Sequence, residues 1–420
     1  MRRQKSPDHA DSARQPASIP SLLALNAYWA GHSFMWNALH PIVLPALLAS
    51  LAPIERKNTY LGLLTFAGLV LAMGLQPISG AISDRWISRF GRRRPLMVIG
   101  TILDVVFLMI LGWAGGMFWI FAGYVGLQIS SNTAQGPLQG LLRDRVPAQH
   151  LGAASSIKVF LDLGSLIAAS FIAGRLMNSG GQGTAWVFVM IVTLLLISAG
   201  TTIALADEEP TNLPVPDSRA KLASAHAVEE ASRSTYWWLI AERAMFLLGI
   251  YGLQAFGQYY LQDALQVPDP ARQTGNLLAI IGTGTLALVL TGGWLSDRFG
   301  PKPLLYAASG LAAAGLVLMP LCRDYQGLYA VGALLGAGMG LFLTTNWALA
   351  NELAPPADAG RFLGLTNIAT AGAAAVARLE GPLVDLLNAL QPGAWMGYKA
   401  VFGLGAACIL LSMVFLGRIK

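Results

Sequence analysis

Six charged side chains stand inside long apolar runs of this sequence: Asp104, Lys158, Asp162, Glu242, Arg243 and Arg378. An ionised group at the centre of a hydrocarbon layer costs about 2.5–3.5 kcal/mol, so each must be paired, hydrated or used. Carboxylates can exchange protons, and guanidinium groups can hold anions or hydroxyls. Lys158 and Asp162 are four residues apart and meet on one helical face. They fit either a structural pair or a carboxylate that alternately pairs and takes a proton. Glu242 points nearly opposite to Arg243 on a helix, so the two are not expected to share a face, and Glu380 likewise points away from Arg378. Asp104 lies nine residues inside Pro95 and reads as a structural group bonding toward the inner end of its helix. Asp162, Lys158, Glu242 and Asp104, with His40, are the candidates for coupling transport to a proton.

Neutral polar residues recur at helical spacing in the same runs. Asn26, Ser33, Asn37 and His40 form one stripe, flanked by Trp29 and Trp36. Gln128, Asn132, Gln135 and Gln139 form a second, and Arg243, Gln254 and Gln258 a third with Tyr251 nearby. Asn367, Thr370 and Arg378 give a fourth, while Thr344, Thr345, Asn346 and Trp347 give a thinner one. Polar groups facing lipid are costly, so a stripe implies a wet cavity or a protein interior. The plainer reading is amide bonding between packed helices. A wall of amides and Trp rings suits a polar solute such as a sugar or glycoside, with hydrogen bonds fixing its orientation and an aromatic face against the ring. Arg243 and Arg378 could instead bind an anionic group.

The elements that must position these residues are membrane spans. Of 420 residues 55% are hydrophobic and 12% charged, about half the charge of a soluble domain, and the mean hydropathy is +0.55. A span needs about 20 mostly apolar residues. Twelve such runs are present, over 21–50, 59–83, 95–113, 117–142, 153–177, 184–206, 235–262, 273–296, 302–320, 326–351, 361–388 and 397–417. With both termini inside, the inner segments hold nineteen Lys and Arg residues and the outer loops four (Arg56, Lys57, Arg272 and Arg323). That asymmetry places both termini in the cytoplasm. Residues 1–20 read as a disordered cytoplasmic tail, 21–206 and 234–420 as two six-helix halves, and 207–233 as a cytoplasmic linker in which a surface helix over 219–232 is an open alternative.

Several function classes fall away. The net charge of +6 sits in short loops, which fits topology better than a nucleic-acid groove. Cys322 and Cys408 fall in different apolar runs, so spacing implies neither a disulfide nor a metal site. No Gly-x-x-x-x-Gly-Lys-[Ser/Thr] loop supplies ATP binding. The five His residues show no catalytic or metal-ligating spacing, so no enzyme, cofactor or metal is expected.

The halves repeat. Gly80, Asp84, Arg85 and Gly91 answer to Gly293, Asp297, Arg298 and Gly300, and Asp144-x-x-Pro147-x-x-x-x-Gly152 answers to Glu352-x-x-Pro355-x-x-x-x-Gly360, at intervals of 208–213 residues. Asp84 ends one span and can attract a neighbouring helix N-terminus. Arg92 and Arg93 can pair with carboxylates, so the loop reads as an inner gate of Gly80, Asp84, Arg85, Gly91, Arg92, Arg93, Asp297 and Arg298, or as plain topogenic charge.

Gly80-x-x-x-Asp84-Arg85 with Gly91-Arg92-Arg93 resembles the signature loop of the major facilitator superfamily, and the resemblance covers residues 21–417. It departs from the common form in the five residues Trp86–Phe90 between Arg85 and Gly91. The longer SDRWISRFGRRRP is similar to the plant sucrose transporters and their relatives, the glycoside–cation symporter branch. The resemblance implies an all-α membrane protein, twelve transmembrane helices in two six-helix pseudo-repeats, with spans 1, 4, 7 and 10 lining a central cavity and transport by alternating access. Asn132-Thr-Ala-Gln135-Gly136 is similar to an Arg-x-x-Gln-Gly element linked in that family to proton handling, but Asn replaces the Arg. Span 5 lacks the Gly-Pro pattern of drug–proton antiporters. The expected function is secondary transport of a small polar organic solute, sugar- or glycoside-like and proton-coupled, by a monomer in the plasma or inner membrane. Export of amphipathic drugs or organic anions, and a non-transporting sensor or lipid-handling role, are the alternatives.

Overall fold

An apolar run in lipid must satisfy its own backbone, and the helix does so within one segment. The chain is helical at each of the twelve expected spans. This computed structural model describes residues 19–205 and 229–419, apart from 87, 89, 114, 147–149 and 355–358. The expectations for the N-terminal tail, for Pro147 and Pro355, and for most of linker 207–233 lie outside the described residues.

Spans 1 to 6 are Ile19–Leu51, Ile54–Arg85, Arg94–Trp113, Met117–Arg145, Leu151–Leu176 and Gly183–Leu205. Spans 7 to 10 are Glu229–Asp263, Pro270–Phe299, Pro301–Leu321 and Tyr325–Leu353. Span 11 is built of two helices, Ala359–Arg378 and Gly381–Leu390, and span 12 is Met396–Leu416. Among the described residues ten helices are long and apolar enough to cross a bilayer. Spans 4 and 11 fall short because their polar stripes dilute the apolar run.

Two spans depart from the expected continuous helix. Span 1 contains a π-helical turn, Leu39–Val43, that includes His40 and Pro41. Proline has no N–H to give and pushes on the preceding turn, which a π turn accommodates. Span 11 stops at Arg378 and restarts at Gly381, followed at once by Pro382. A cation thus ends the first piece and Glu380 stands at the N-cap position of the second without a side-chain capping bond, the order of charges that each helix dipole favours. Span 7 also begins earlier than expected, at Glu229.

The sequence repeat is visible in the packing. Span 1 lies against 5 and 6, span 2 against 4, and span 3 against 4 and 6; span 7 lies against 11 and 12, span 8 against 10, and span 9 against 10 and 12. The two halves meet where span 2 packs on span 11 and span 5 on span 8. Glycines permit this approach. A Cβ on Gly62 would meet the Arg378 carbonyl and Gly381; one on Gly275 would meet the Ser170 carbonyl and Gly174. Gly62 and Gly275 are 213 residues apart and Gly174 and Gly381 207 apart, so one contact is the repeat of the other.

Candidate functional site

Below, outer and inner denote the bundle ends as the Lys and Arg distribution assigns them. In the first half, spans 1 and 4 are laced by rings and amides. Trp36 stacks on His40 with ring centroids 4.7 Å apart, and its Nε1 donates to Ser131 at 3.1 Å. His40 Nε2 lies 2.9 Å from the Tyr124 hydroxyl, which accepts from Gln128 at 2.8 Å. Asn132 donates to the Gln128 carbonyl at 2.8 Å. Gln128 and Asn132 are therefore buried and bonded along their own helix. Asn37 and Gln135 are half-buried and Gln139 is exposed. Asn26 departs from the cavity expectation. It is fully buried and donates to the Leu22 carbonyl at 2.9 Å, because a helix offers a short amide its own carbonyl four residues back.

In the second half, spans 7, 10 and 11 hold one polar cluster. Arg243 Nη1 donates to Asn346 Oδ1 at 2.5 Å and its Nε to Thr370 at 2.9 Å, with the guanidinium 5.3 Å from the centre of the Trp347 ring. Asn346 Nδ2 donates to Glu242 at 2.7 Å. Glu242 and Arg243, expected not to share a face, are both bonded to the Asn346 amide, a partner on span 10 that the single-helix argument could not anticipate. Arg378 Nη1 donates to the Tyr251 carbonyl at 3.3 Å. Tyr251, Gln254 and Gln258 line a chamber of about 130 Å³ whose other walls include Leu163, Leu277 and Leu343. Asn37, Asn132, Gln135 and Arg243 are not among its lining residues, so the polar residues singled out in the sequence divide between two walls.

The carboxylates find different partners. Asp162 accepts from Lys158 at 3.0 Å and from Ser33 of span 1 at 2.5 Å, and the Lys158 ammonium sits 4.1 Å above the Trp29 ring. Each side chain of this pair is 32% exposed, so the pair is not sealed inside the helix packing. Asp104 accepts from Ser130 of span 4, and its second oxygen has no partner. It is thus held by the packing of spans 3 and 4 and not by the inner loop, because its helical face turns toward span 4.

The inner loop forms a compact ion network within the first half. Arg93 reaches Asp84 at 2.6 Å and Asp144 at 2.9 Å, and Arg92 reaches Asp144 at 2.6 Å. Gly91 has φ +89°, as does Gly300 at +81°, conformations that glycine adopts without a steric penalty. Gly140 leaves room for the Arg93 guanidinium, Gly80 lies opposite the Gly136 carbonyl, and Arg85 is exposed. The second copy is different. Asp297 is exposed and makes no ion pair among the described residues, Arg298 lies over Trp294 at 5.5 Å, and Lys302 donates to the Ile419 carbonyl at 2.7 Å.

The polar bonds that join the halves lie at the outer end. Lys57 meets Asp263 at 2.6 Å. Asp385 accepts from Asn58 at 2.8 Å and from the Thr59 hydroxyl at 2.6 Å, Tyr398 accepts from Asn58 at 3.2 Å while donating to Asp263 of its own half at 2.6 Å, and Tyr259 donates to the Pro45 carbonyl at 2.9 Å. At the inner end the ion pairs of Arg92 and Arg93 with Asp84 and Asp144 lie within the first half. Sequence reasoning missed the outer seal, as it missed Tyr124. The acids Asp263 and Asp385 were a signal, since each closes or interrupts an apolar run, but their partners lie in the other half.

A family model described as the Major Facilitator Superfamily matches residues 28–377. The chain is 22% identical to a sucrose transport protein, SUT5, of Oryza sativa subsp. indica over 87% of this chain and 82% of that protein. It is 32% identical to a general alpha-glucoside permease of Schizosaccharomyces pombe over 23% of this chain and 18% of that one. Among solved structures, an inward-facing bacterial homologue of the human lysosomal transporter Spinster overlays with a TM-score of 0.64 at 17% identity, covering 95% of this chain and 94% of that one. The nucleoside transporter NupG overlays with a TM-score of 0.69 at 14% identity, covering 95% and 98%. These last two show the shared fold.

Proposed function

Because this chain belongs to the major facilitator superfamily, we propose that it is a secondary transporter of a small polar organic solute, sugar- or glycoside-like, working by alternating access and coupled to a proton. Its setting is the cell membrane with both termini in the cytoplasm. The observation that carries the reading is a pair of buried polar clusters, one on spans 1 and 4 and one on spans 7, 10 and 11, in two halves whose outer ends are joined by polar bonds. A chamber between such halves can exchange solute with one side at a time, and each state is stabilised by contacts the other lacks. Names of similar proteins that handle sucrose and alpha-glucosides support the solute class. Asp162 is the favoured coupling group, since it is only partly buried and could trade Lys158 for a proton. The inner ion network around Asp144 steadies the first half as the halves rock.

The experiment is uptake into proteoliposomes of purified protein, with sucrose, a glucoside and a sugar acid, under an imposed pH gradient. Solute-dependent accumulation that collapses with the gradient is expected. No uptake of any of them would end the reading.

A further inference from the structure

The internal repeat separates what Arg378 does for the fold from what its side chain is for. Gly62 of span 2 packs against the Arg378 backbone carbonyl, and the repeat of that contact is Gly275 against the Ser170 carbonyl. Arg378 and Ser170 are 208 residues apart, the interval of the other repeated features. The seam is thus made by a backbone carbonyl in both copies, and a small neutral residue suffices in one of them. The guanidinium is not required by the packing.

That guanidinium is nevertheless buried, at 4% exposure. Its Nη1 has a long bond to the Tyr251 carbonyl at 3.3 Å, and its Nε has no partner. Leaving a buried charged donor unmet is unfavourable, so the site is incomplete as it stands. No ion pair joins Arg378 or Arg243 to a carboxylate among the described residues. Glu242 is within electrostatic reach of Arg243 and is hydrogen-bonded to it through Asn346; Glu380 is within electrostatic reach of Arg378, and its oxygen without a partner lies beside Gly252. The Tyr251 hydroxyl is within electrostatic reach of both guanidinium groups, and His40 and Tyr124 of the other half are within electrostatic reach of Arg378.

We propose that the transported solute carries a carboxylate, received by Arg378 and Arg243 beside Tyr251, so that it is a hydroxylated acid and not a neutral sugar. This rests on the reading of the cavity as a site for sugar-like solutes. A carboxylate offers two coplanar oxygens to the N–H fork of a guanidinium. Its hydroxyls meet Tyr251 and Gln254, and the ring face meets the apolar wall of the adjoining chamber. A neutral sugar leaves the Arg378 donor unmet, and a site built to satisfy a polar group rejects the analogue that lacks it.

The test compares glucuronate with glucose, by thermal shift on the purified full-length protein and by counterflow in proteoliposomes. Wild type should bind glucuronate at least roughly tenfold more tightly than glucose. Arg378→Gln should lose that preference, Arg378→Lys should keep part of it, and Ser170→Ala should keep all of it. Equal handling of glucuronate and glucose by wild type overturns the proposal, a comparison that stands even where Arg378→Gln does not fold. So does a preference that survives both Arg378→Gln and Arg243→Gln. Transport of glucose alone removes the carboxylate and leaves the sugar-like reading standing, whereas failure with every sugar and sugar acid removes both.

Discussion

Lys57 at the start of span 2 and Asp263 at the end of span 7 meet at 2.6 Å, and they belong to opposite halves of the molecule. Their side chains are 5% and 12% exposed. Opening the outer mouth must separate and hydrate them, so the pair weights the equilibrium toward the closed form.

The first prediction follows from that pair. Asp263→Asn also weakens the bond from Tyr398, and it should raise the outward-open population by roughly tenfold. Spin labels at positions 54 and 392, with Cys322 and Cys408 replaced by Ser, should show a longer distance component in the variant. A distance distribution identical to that of wild type would show that the pair does not hold the mouth.

The inner ion network supplies the second. Asp144 accepts from both Arg92 and Arg93, whereas Asp84, among the described residues, accepts from Arg93 alone and is 55% exposed. Asp144→Asn should therefore slow transport more than Asp84→Asn, and Asp297→Asn should do least, with membrane insertion intact in all three. Initial uptake rates normalised to inserted protein decide it. Equal, wild-type rates in all three would reduce the loop to a topogenic role.

How much of this was legible in the sequence depends on the range of the interaction. The twelve spans were readable because hydropathy is a local property, and the two halves because Gly80-x-x-x-Asp84-Arg85 has a visible copy at Gly293 and Asp297. The Lys158–Asp162 pair was readable because both lie on one helical turn. The break in span 11 was not, although Arg378, Gly381 and Pro382 mark it, because a hydropathy window averages across three residues. The outer seal was unreadable for a different reason. Lys57 and Asp263 are 206 residues apart, and no periodicity links them. Asn26 was misplaced because a stripe on one helix does not say which neighbour covers it.

The third prediction concerns coupling. Asp162 is held by Lys158 and by Ser33 of span 1, so a proton on it would release both. Asp162→Asn should abolish accumulation against a gradient yet preserve downhill exchange. Ser33→Ala should weaken coupling without removing it. Both are measured in the same proteoliposomes, with and without a pH gradient. Loss of exchange together with accumulation, in a variant that still inserts and folds, would make the pair a part of the scaffold.

The last prediction uses the repeated seam. Gly62→Ala places a methyl group against the Arg378 carbonyl, and Gly275→Ala places one against the Ser170 carbonyl. Backbone cannot yield to a methyl as a side-chain tip can, so each variant should prop the outer mouth apart. Gly74→Ala, which meets nothing within 4 Å, is the control. Alanine favours a helix over glycine by about 1 kcal/mol, so helix stability alone would make all three variants slightly more robust. The expected pattern is therefore loss of transport in Gly62→Ala and Gly275→Ala, full transport in Gly74→Ala, and no loss of helical content in any. Because the two contacts are copies, the two seam variants should also lengthen the distance between labels at 54 and 392 alike. Wild-type transport by Gly62→Ala would mean that spans 2 and 11 need not come this close to seal the outer mouth, and the seal there would then rest on the polar bonds of Lys57, Asp263, Asp385 and Tyr259.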